Sequence, residues 1–185
     1  MSRDPADPTE AQPRDPTEAQ ARDPTAAPAP PDRDALADGG AFDVAVVGGG
    51  PAGCATALAL RSHAPGLRVV LLEASAYDRA RLGETLPPLA RLVLRHLGVW
   101  EAFRRQDHRE VHGTAAAWGR AVPGDHDYLF ATQGPGWHLD RAAFDAMLAA
   151  EAADRGVTVL RRTRVARADR VDALWRLKVR GGGGG

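Results

Sequence analysis

Four residues in this sequence have the types and spacing to hold a phosphate-bearing ligand. Gly48, Gly50 and Gly53 stand at a G-x-G-x-x-G spacing, and Glu73 follows twenty residues after the last of them. In such a triplet the first glycine permits a tight turn, the second lets backbone approach a pyrophosphate, and the third lets a helix pack closely on a strand. Pro51 and Ala52 complete the turn, and proline suits the first helical position because its missing N–H would have had no partner there. The unpaired N–H groups of that first turn, with the positive end of the helix dipole, make an anion site. An ionised Glu73 accepts hydrogen bonds from ribose hydroxyls and repels a 2′-phosphate, so the expected ligand is FAD or NAD rather than NADP.

These residues need a strand, a helix and a second strand to position them, and the sequence supplies all three. Val44, Ala45, Val46 and Val47 form a β-branched run suited to a buried parallel strand. CATALALRSH after Gly53 is helical in composition, and Leu67 to Leu72 reads as the second strand, delivering Glu73 at its end. Glycines that serve only a tight turn are the plainer reading. The order of strand, glycines, helix, strand and acid within about 30 residues favours dinucleotide binding over it.

Further along, Ala74 to Arg81 reads as a loop. Leu89, Leu92, Val93 and Leu97 have the spacing of an apolar helix face, opened by Pro87 and Pro88 and ended by Gly98, with Thr85 as a candidate cap. The stretch from Arg104 to Gly136 is expected to be strand and loop, with His112 to Trp118 and Asp127 to Thr132 as two strands. Asp140 is the expected N-cap of a helix running to Arg155, with Phe144, Met147, Leu148 and Ala152 inward and Gly156 as its stop. Val157 to Leu160 should be a third parallel strand. Thr163 to Ala168 and Ala173 to Val179 should pair antiparallel around Val171 and Asp172.

Other chemistry-bearing residues receive plainer readings. His108, Glu110 and His112 do not match the helical H-E-x-x-H of zinc hydrolases, and no third ligand accompanies them, so no metal is expected. Trp118 and Trp137 read as core in preference to pocket walls. Cys54, the single cysteine, reads as a small buried thiol, cannot form an internal disulfide and fits a reducing cytoplasm. No apolar run approaches the roughly 20 residues of a membrane span, and the polar start lacks the pattern of a signal peptide. A cytoplasmic protein is expected, with no membrane partner.

Charge is divided unevenly along the 185 residues. Residues 1–40 hold four arginines against nine acids, and the remainder holds twenty basic against fifteen acidic residues. The sequence shows no dense cationic stripe with interleaved aromatics, which argues against nucleic-acid binding. One lysine beside 23 arginines points to coding bias, so arginine counts are discounted. Within the acidic segment an eight-residue period recurs: DPTEAQPR from Asp7, DPTEAQAR from Asp15, and DPTAAP from Asp23. Proline with small and acidic residues cannot bury enough apolar surface to offset ordering, so residues 1–40 are expected to form a disordered tail. A neutral spacer or a start codon placed too far upstream is favoured over a docking role.

A resemblance to a known family rests on two further segments. Arg81-Leu82-Gly83-Glu84-Thr85-Leu86-Pro87-Pro88 resembles the G-E-S/T-L-x-P segment of tryptophan-halogenase-like flavoproteins, within the class of FAD-dependent aromatic hydroxylases. Trp137-His138-Leu139-Asp140-Arg141-Ala142-Ala143-Phe144-Asp145 resembles the segment of that class in which a helix carries an arginine toward the cofactor. Within the class, the chain is most similar to flavoproteins that accompany quinone-forming amine and lysine oxidases. The resemblance covers about residues 42–179. It implies that Gly48, Gly50, Pro51, Ala52 and Gly53 cradle the FAD pyrophosphate, that Glu73 holds the ribose, that Arg81 and Arg141 neutralise phosphate or ribose oxygens, and that Thr85 lies near the flavin. No catalytic acid, base or nucleophile is assigned, since the cofactor carries the redox chemistry; His138 and Glu84 are the nearest candidates for polar groups beside it.

The expected fold is therefore α/β, an incomplete FAD-binding Rossmann-type βαβ unit with a parallel sheet and a partial β-rich substrate layer. Its division is a tail over 1–40, an FAD/NAD(P)-binding domain over 41–180 and a glycine tail over 181–185. The resembled class continues with another parallel strand, a second flavin-contacting segment and most of a substrate domain, so an amino-terminal fragment is expected. The implied activity is that of an FAD-dependent oxidoreductase, a monooxygenase or halogenase acting on an aromatic small molecule or protein side chain, with NAD(P)H as a candidate electron donor. A flavin dehydrogenase or reductase, or a non-catalytic dinucleotide-binding remnant, are the alternatives.

Overall fold

The computed structural model describes residues 40–82, 85–117, 119, 124–128 and 132–181. Residues 1–39 of the expected tail, Gly83, Glu84, Trp118, half of the strand expected over 127–132 and the last four glycines lie outside the described residues.

Three parallel strands form the centre: β1 (Val44–Val47), β2 (Val69–Leu72) and β8 (Thr158–Leu160), in the order β1-β2-β8. Val44 is opposite Val69 and Val47 opposite Leu72, while Leu71 is opposite Val159. All four residues of β2 are buried, as expected of a central parallel strand covered on both faces. Helix α1 (Pro51–His63) connects β1 to β2 and buries Cys54, Ala57 and Leu58. The long excursion before β8 ends in a second helix packed on α1.

The excursion begins with β3 (Thr85–Leu86) and continues through α2 (Ala90–His96) and α3 (Trp100–Arg104). Strands β4 (Arg109–Val111), β5 (Gly113–Ala116), β6 (Gly124–Asp127) and β7 (Gly136–His138) follow. β3, β7 and β4 form one antiparallel sheet with β7 in the middle, and β5 pairs with β6. The second strand of that pair therefore precedes the stretch beginning at Asp127 where it was expected. An aromatic cluster fastens this layer to the body: the Trp137 ring on β7 lies 5.6 Å from Trp100 and 5.4 Å from Phe103, and Phe103 lies 5.8 Å from Phe144. Edge-to-face pairs of this kind contribute beyond their buried area. Trp137 is accordingly core.

Helix α4 (Arg141–Asp154) packs on α1 and leads into β8. Asp140 caps it, its Oδ1 accepting from the N–H groups of Ala142 and Ala143 at 2.9 and 3.1 Å. Gly156, with φ at +84°, turns the chain out of the helix. After β8, strands β9 (Thr163–Val171) and β10 (Leu174–Gly181) form an antiparallel hairpin with a bulge at Lys178/Val179. Val165, Leu177 and Val179 of the hairpin and Phe42 pack on Val70, Leu72 and Leu160, covering the second face of the central sheet.

Two sequence expectations are corrected. Leu89, Leu92 and Val93 are exposed, while Leu94 is buried and Leu97 is partly buried. The short helix carries two candidate apolar stripes, and packing through Leu94 and the adjoining Val99, Trp100 and Phe103 decides which one turns inward. Thr85 is not a helix cap: it lies in β3, opposite His138, and α2 starts without a side-chain cap.

Loss of the Asp140 carboxylate leaves two α4 N–H groups without their acceptor. Asp140→Ala should lower stability by about 1 kcal/mol, read as a decrease in the urea midpoint at unchanged slope.

Candidate functional site

The turn between β1 and α1 is built as its glycine spacing requires. Gly48 has φ at +104°, a backbone region that a side chain disfavours, and its N–H donates to Leu72 O at 2.8 Å. A Cβ on Gly53 would stand 1.9 Å from Gly48 O, so this is the point where helix and strand touch. At Gly50 a Cβ would meet nothing within 4 Å. The bare backbone of Gly50 opens onto the start of α1, which has Pro51 in its first turn and no side-chain cap. First-turn N–H groups have no intrahelical acceptor, so this surface is available to an anion. Pro51 and Ala52 lie in that turn.

Gly49, which the spacing rule leaves unspecified, is the most constrained residue of the loop. Its N–H donates to Glu73 Oε2 at 2.7 Å, and its carbonyl accepts from Tyr77 OH at 2.8 Å and from Cys54 Sγ at 3.2 Å. A Cβ here would overlap Tyr77 OH at 2.2 Å and crowd Glu73 Cβ at 2.9 Å. Tyr77 has a left-handed backbone, φ +63°, unusual for a bulky residue. Its phenol is fixed on Gly49, and the guanidiniums of Arg81 and Arg161 lie 5.6 and 5.3 Å from its ring. Burial, with the nearby Cys54 and Glu73, pushes the Tyr77 hydroxyl upward, so it remains a protonated donor. Burial likewise pushes the Cys54 thiol up to about 12, against the lowering effect of its contact with Tyr77.

Glu73 is buried and has more than one partner. Oε1 accepts from Ser75 N–H at 2.8 Å, Ser75 Oγ at 2.6 Å and Arg81 Nη2 at 3.1 Å. Oε2 accepts only the Gly49 N–H among the described residues, which leaves that oxygen acceptor capacity. Burial raises the Glu73 carboxyl, but the hydrogen bonds from Ser75 and Gly49 and the charge of Arg81 outweigh it and hold the group below the ordinary carboxylate range.

Arg81 and Arg141 meet at a residue that the spacing of motifs does not single out. Asp145, fully buried, accepts Arg81 Nη1 on Oδ2 at 2.8 Å, and Arg141 Nε and Nη2 on its two oxygens at 3.2 Å each. Two arginines and two carboxylates thus form one partly buried ionic set, with Arg81 joining Asp145 to Glu73. The available signal was Asp145 itself: a charge four residues after Arg141 on an otherwise apolar helix face between Phe144 and Leu148. Thr85 lies apart from this set, its Oγ1 3.1 Å from Nδ1 of the exposed His138. His108 is engaged by Gln106 Oε1 at 3.0 Å and packs on Phe103.

A parallel βαβ unit with a bare glycine turn at a helix start and a carboxylate after the second strand defines a dinucleotide-binding protein of the α/β class. The match is specific: residues 41–183 fit the FAD binding domain family, and the chain belongs to it. It is 36% identical over 138 residues to a protein of Marinomonas mediterranea named as an FAD-dependent oxidoreductase, LodB, covering 74% of this chain and 37% of that protein. Over 88 residues it is 49% identical to 6-methylpretetramide 4-monooxygenase of Streptomyces rimosus, covering 46% of this chain and 19% of that enzyme. Among solved structures, the myxobacterial chondrochloren halogenase CndH superposes with a TM-score of 0.66 at 28% identity, covering 76% of this chain and 33% of that one. The flavin-dependent halogenase CmlS gives 0.65 at 34%, covering 77% and 26%. The chain thus spans about a third of the length of several of these relatives. No helix among the described residues is long and apolar enough to cross a membrane.

Two outcomes follow from the buried groups. Because the Glu73 value is depressed in the folded state, its contribution is present above the unfolded carboxylate value and is lost as pH falls through the folded one. Glu73→Gln should therefore be less stable than the parent near pH 7, and the gap should narrow as pH falls below about 4, as urea titrations across that range would show. Cys54 should resist a thiol reagent at pH 8 in the native chain and react fully in denaturant.

Proposed function

We propose that this chain forms the adenosine diphosphate side of an FAD site in a flavin-dependent oxidoreductase of the monooxygenase or halogenase type. The observation that carries the reading is the open Gly50 surface at the uncapped start of α1, one residue from the Gly49–Glu73 hydrogen bond. Gly48, Gly50, Pro51, Ala52 and Gly53 would place the turn and the first N–H groups of α1 against the pyrophosphate. Glu73 Oε2 has acceptor capacity for a ribose hydroxyl, and its charge disfavours a 2′-phosphate. Arg81, 29% exposed, has donors beyond those spent on Asp145, Glu73 and Ser75, and would offset the pyrophosphate charge, with Arg141 behind it. Thr85, paired with His138 at the near edge of the β3-β7-β4 sheet, would border the flavin.

FAD, when bound, supplies the redox chemistry, and the protein's part is to bind, orient and exclude water. The relatives support an aromatic substrate: one is named for a pretetramide and another for a pyrrole carried on a peptidyl carrier protein. For this chain we infer an electron-rich aromatic, free or borne on a protein, with NAD(P)H as electron donor. The buried, unpaired Cys54 supports a reducing, cytoplasmic setting.

Titration of the purified chain with FAD, followed by quenching of flavin fluorescence, tests the reading. Binding should be saturable and displaced by ADP. Gly50→Ala should leave the melting temperature unchanged yet weaken FAD binding tenfold or more, about 1.4 kcal/mol. Glu73→Ala should weaken it by at least as much. Absence of quenching, or full affinity in Gly50→Ala, would overturn the assignment. Bound FAD that NAD(P)H does not reduce would identify a binding module without the proposed electron donor.

A further inference from the structure

Apart from the nucleotide site, one surface of the body carries a local surplus of cations. The residues after position 40 carry twenty basic and fifteen acidic groups, a surplus of five. The register of β9 and β10 places Arg164 opposite Arg180, Arg167 opposite Lys178, and Asp169 opposite Arg176. Val165, Leu177 and Val179 use the other face to pack on the central sheet, so these six alternate outward. The outward set holds five cations and one acid, four of the five surplus charges. The five cations are exposed, and the acid is already engaged, Asp169 Oδ1 accepting from Arg167 Nε at 2.7 Å.

Like charges directly opposite each other destabilise an antiparallel pair. Here two such pairs, Arg164/Arg180 and Arg167/Lys178, stand in succession. Sequence alone hides this surface because alternation separates the basic residues along each strand, and only the hairpin brings the two rows side by side. An anionic partner would turn the repulsion into attraction, and the same chain contains one. Residues 4–23 carry six acids and two arginines, a net charge equal and opposite to that of the hairpin face.

The acids of the repeat are also regularly spaced. Asp7 and Glu10, and again Asp15 and Glu18, are three residues apart. In an extended, proline-rich strand that rises about 3.1 Å per residue, such acids stand about 9 Å apart. Arg164 and Arg167 stand opposite Arg180 and Lys178, two residues apart on β10, so the bulge leaves them about 7 Å apart along the hairpin, a difference that flexible guanidinium arms span. Reach is no obstacle. The chain leaves the body at Phe42, in the small cluster that also seats Val165, Leu177 and Val179, and some twenty residues separate it from the repeat. A tether of that length gives an effective concentration near the millimolar range.

We propose that the acidic repeat of residues 4–23 docks on the outward face of the β9–β10 hairpin of its own molecule. The contact is electrostatic, intramolecular and sensitive to salt, and it is independent of whether the glycine turn holds FAD. Its effect is to cover the cationic face against other polyanions.

The test uses the full chain with a spin label at Thr17→Cys; the buried Cys54 does not compete for the label. In about 50 mM NaCl the label should broaden the amide signals of residues 164–180 at least twofold more than those of α1 and α4. In about 0.5 M NaCl, where the screening length falls to a few ångströms, the selective broadening should vanish. Neutralising the tail with Asp7→Asn, Glu10→Gln, Asp15→Asn and Glu18→Gln should abolish it with the body untouched, and Arg176→Glu, Lys178→Glu and Arg180→Glu together should do the same from the other side. Broadening that is absent, that persists at high salt, or that survives neutralisation of the tail would overturn the proposal. So would selective broadening seen only when labelled chains are mixed with isotopically labelled, spin-free ones, which would place the repeat on a second copy.

Discussion

Everything at the nucleotide end of this molecule depends on how the Gly49 peptide is held. Its N–H is fixed by a carboxylate from the end of β2, and its carbonyl by a phenol from the following loop and a thiol from the first helix. Those three side chains come from three segments, so the glycine turn cannot move without disturbing strand, loop and helix together. That grip leaves neighbouring Gly50 bare, the condition a backbone anion site needs. The left-handed conformation of Tyr77 is tolerable for the same reason: several contacts at once hold the ring where its hydroxyl reaches Gly49.

The ionic set behind the turn follows a related logic. Fully burying Asp145 alone would be costly, and two guanidiniums that donate three hydrogen bonds to it offset that cost. Arg81 also reaches Glu73 and Ser75, so charge balance on α4 is tied to the geometry of the turn. The buried charge on α4 and the carboxylate that holds the turn therefore share one arginine.

The βαβ unit was legible in the sequence because its signals are local: a β-branched run, three glycines, a helix and an acid at fixed offsets. The Asp140 cap, the third parallel strand and the final hairpin were legible for the same reason. Gly49, Ser75, Tyr77 and Asp145 were not, since each acts on a group far from it in the chain or in a way that no short pattern encodes. The apolar stripe of α2 was misread because a seven-residue helix offers more than one inward face, and only its neighbours choose between them. The cationic hairpin face was invisible until two strands were set in register.

One contact at the opposite end of the helices has a mechanical meaning. Arg61, near the end of α1, donates through Nε to Arg155 O at the end of α4, and through Nη1 to Pro65 O and Leu67 O. These acceptors are neutral, whereas the first half of α4 is held by ions, Arg81 bridging Asp145 on the helix to Glu73 after β2. The ends of α1 and α4 are thus riveted to each other, whereas the first half of α4 is tied to the end of β2 and the loop after it. The rivet joins helix to helix and the ions join helix to sheet, so α4 is held at its two ends by different partners.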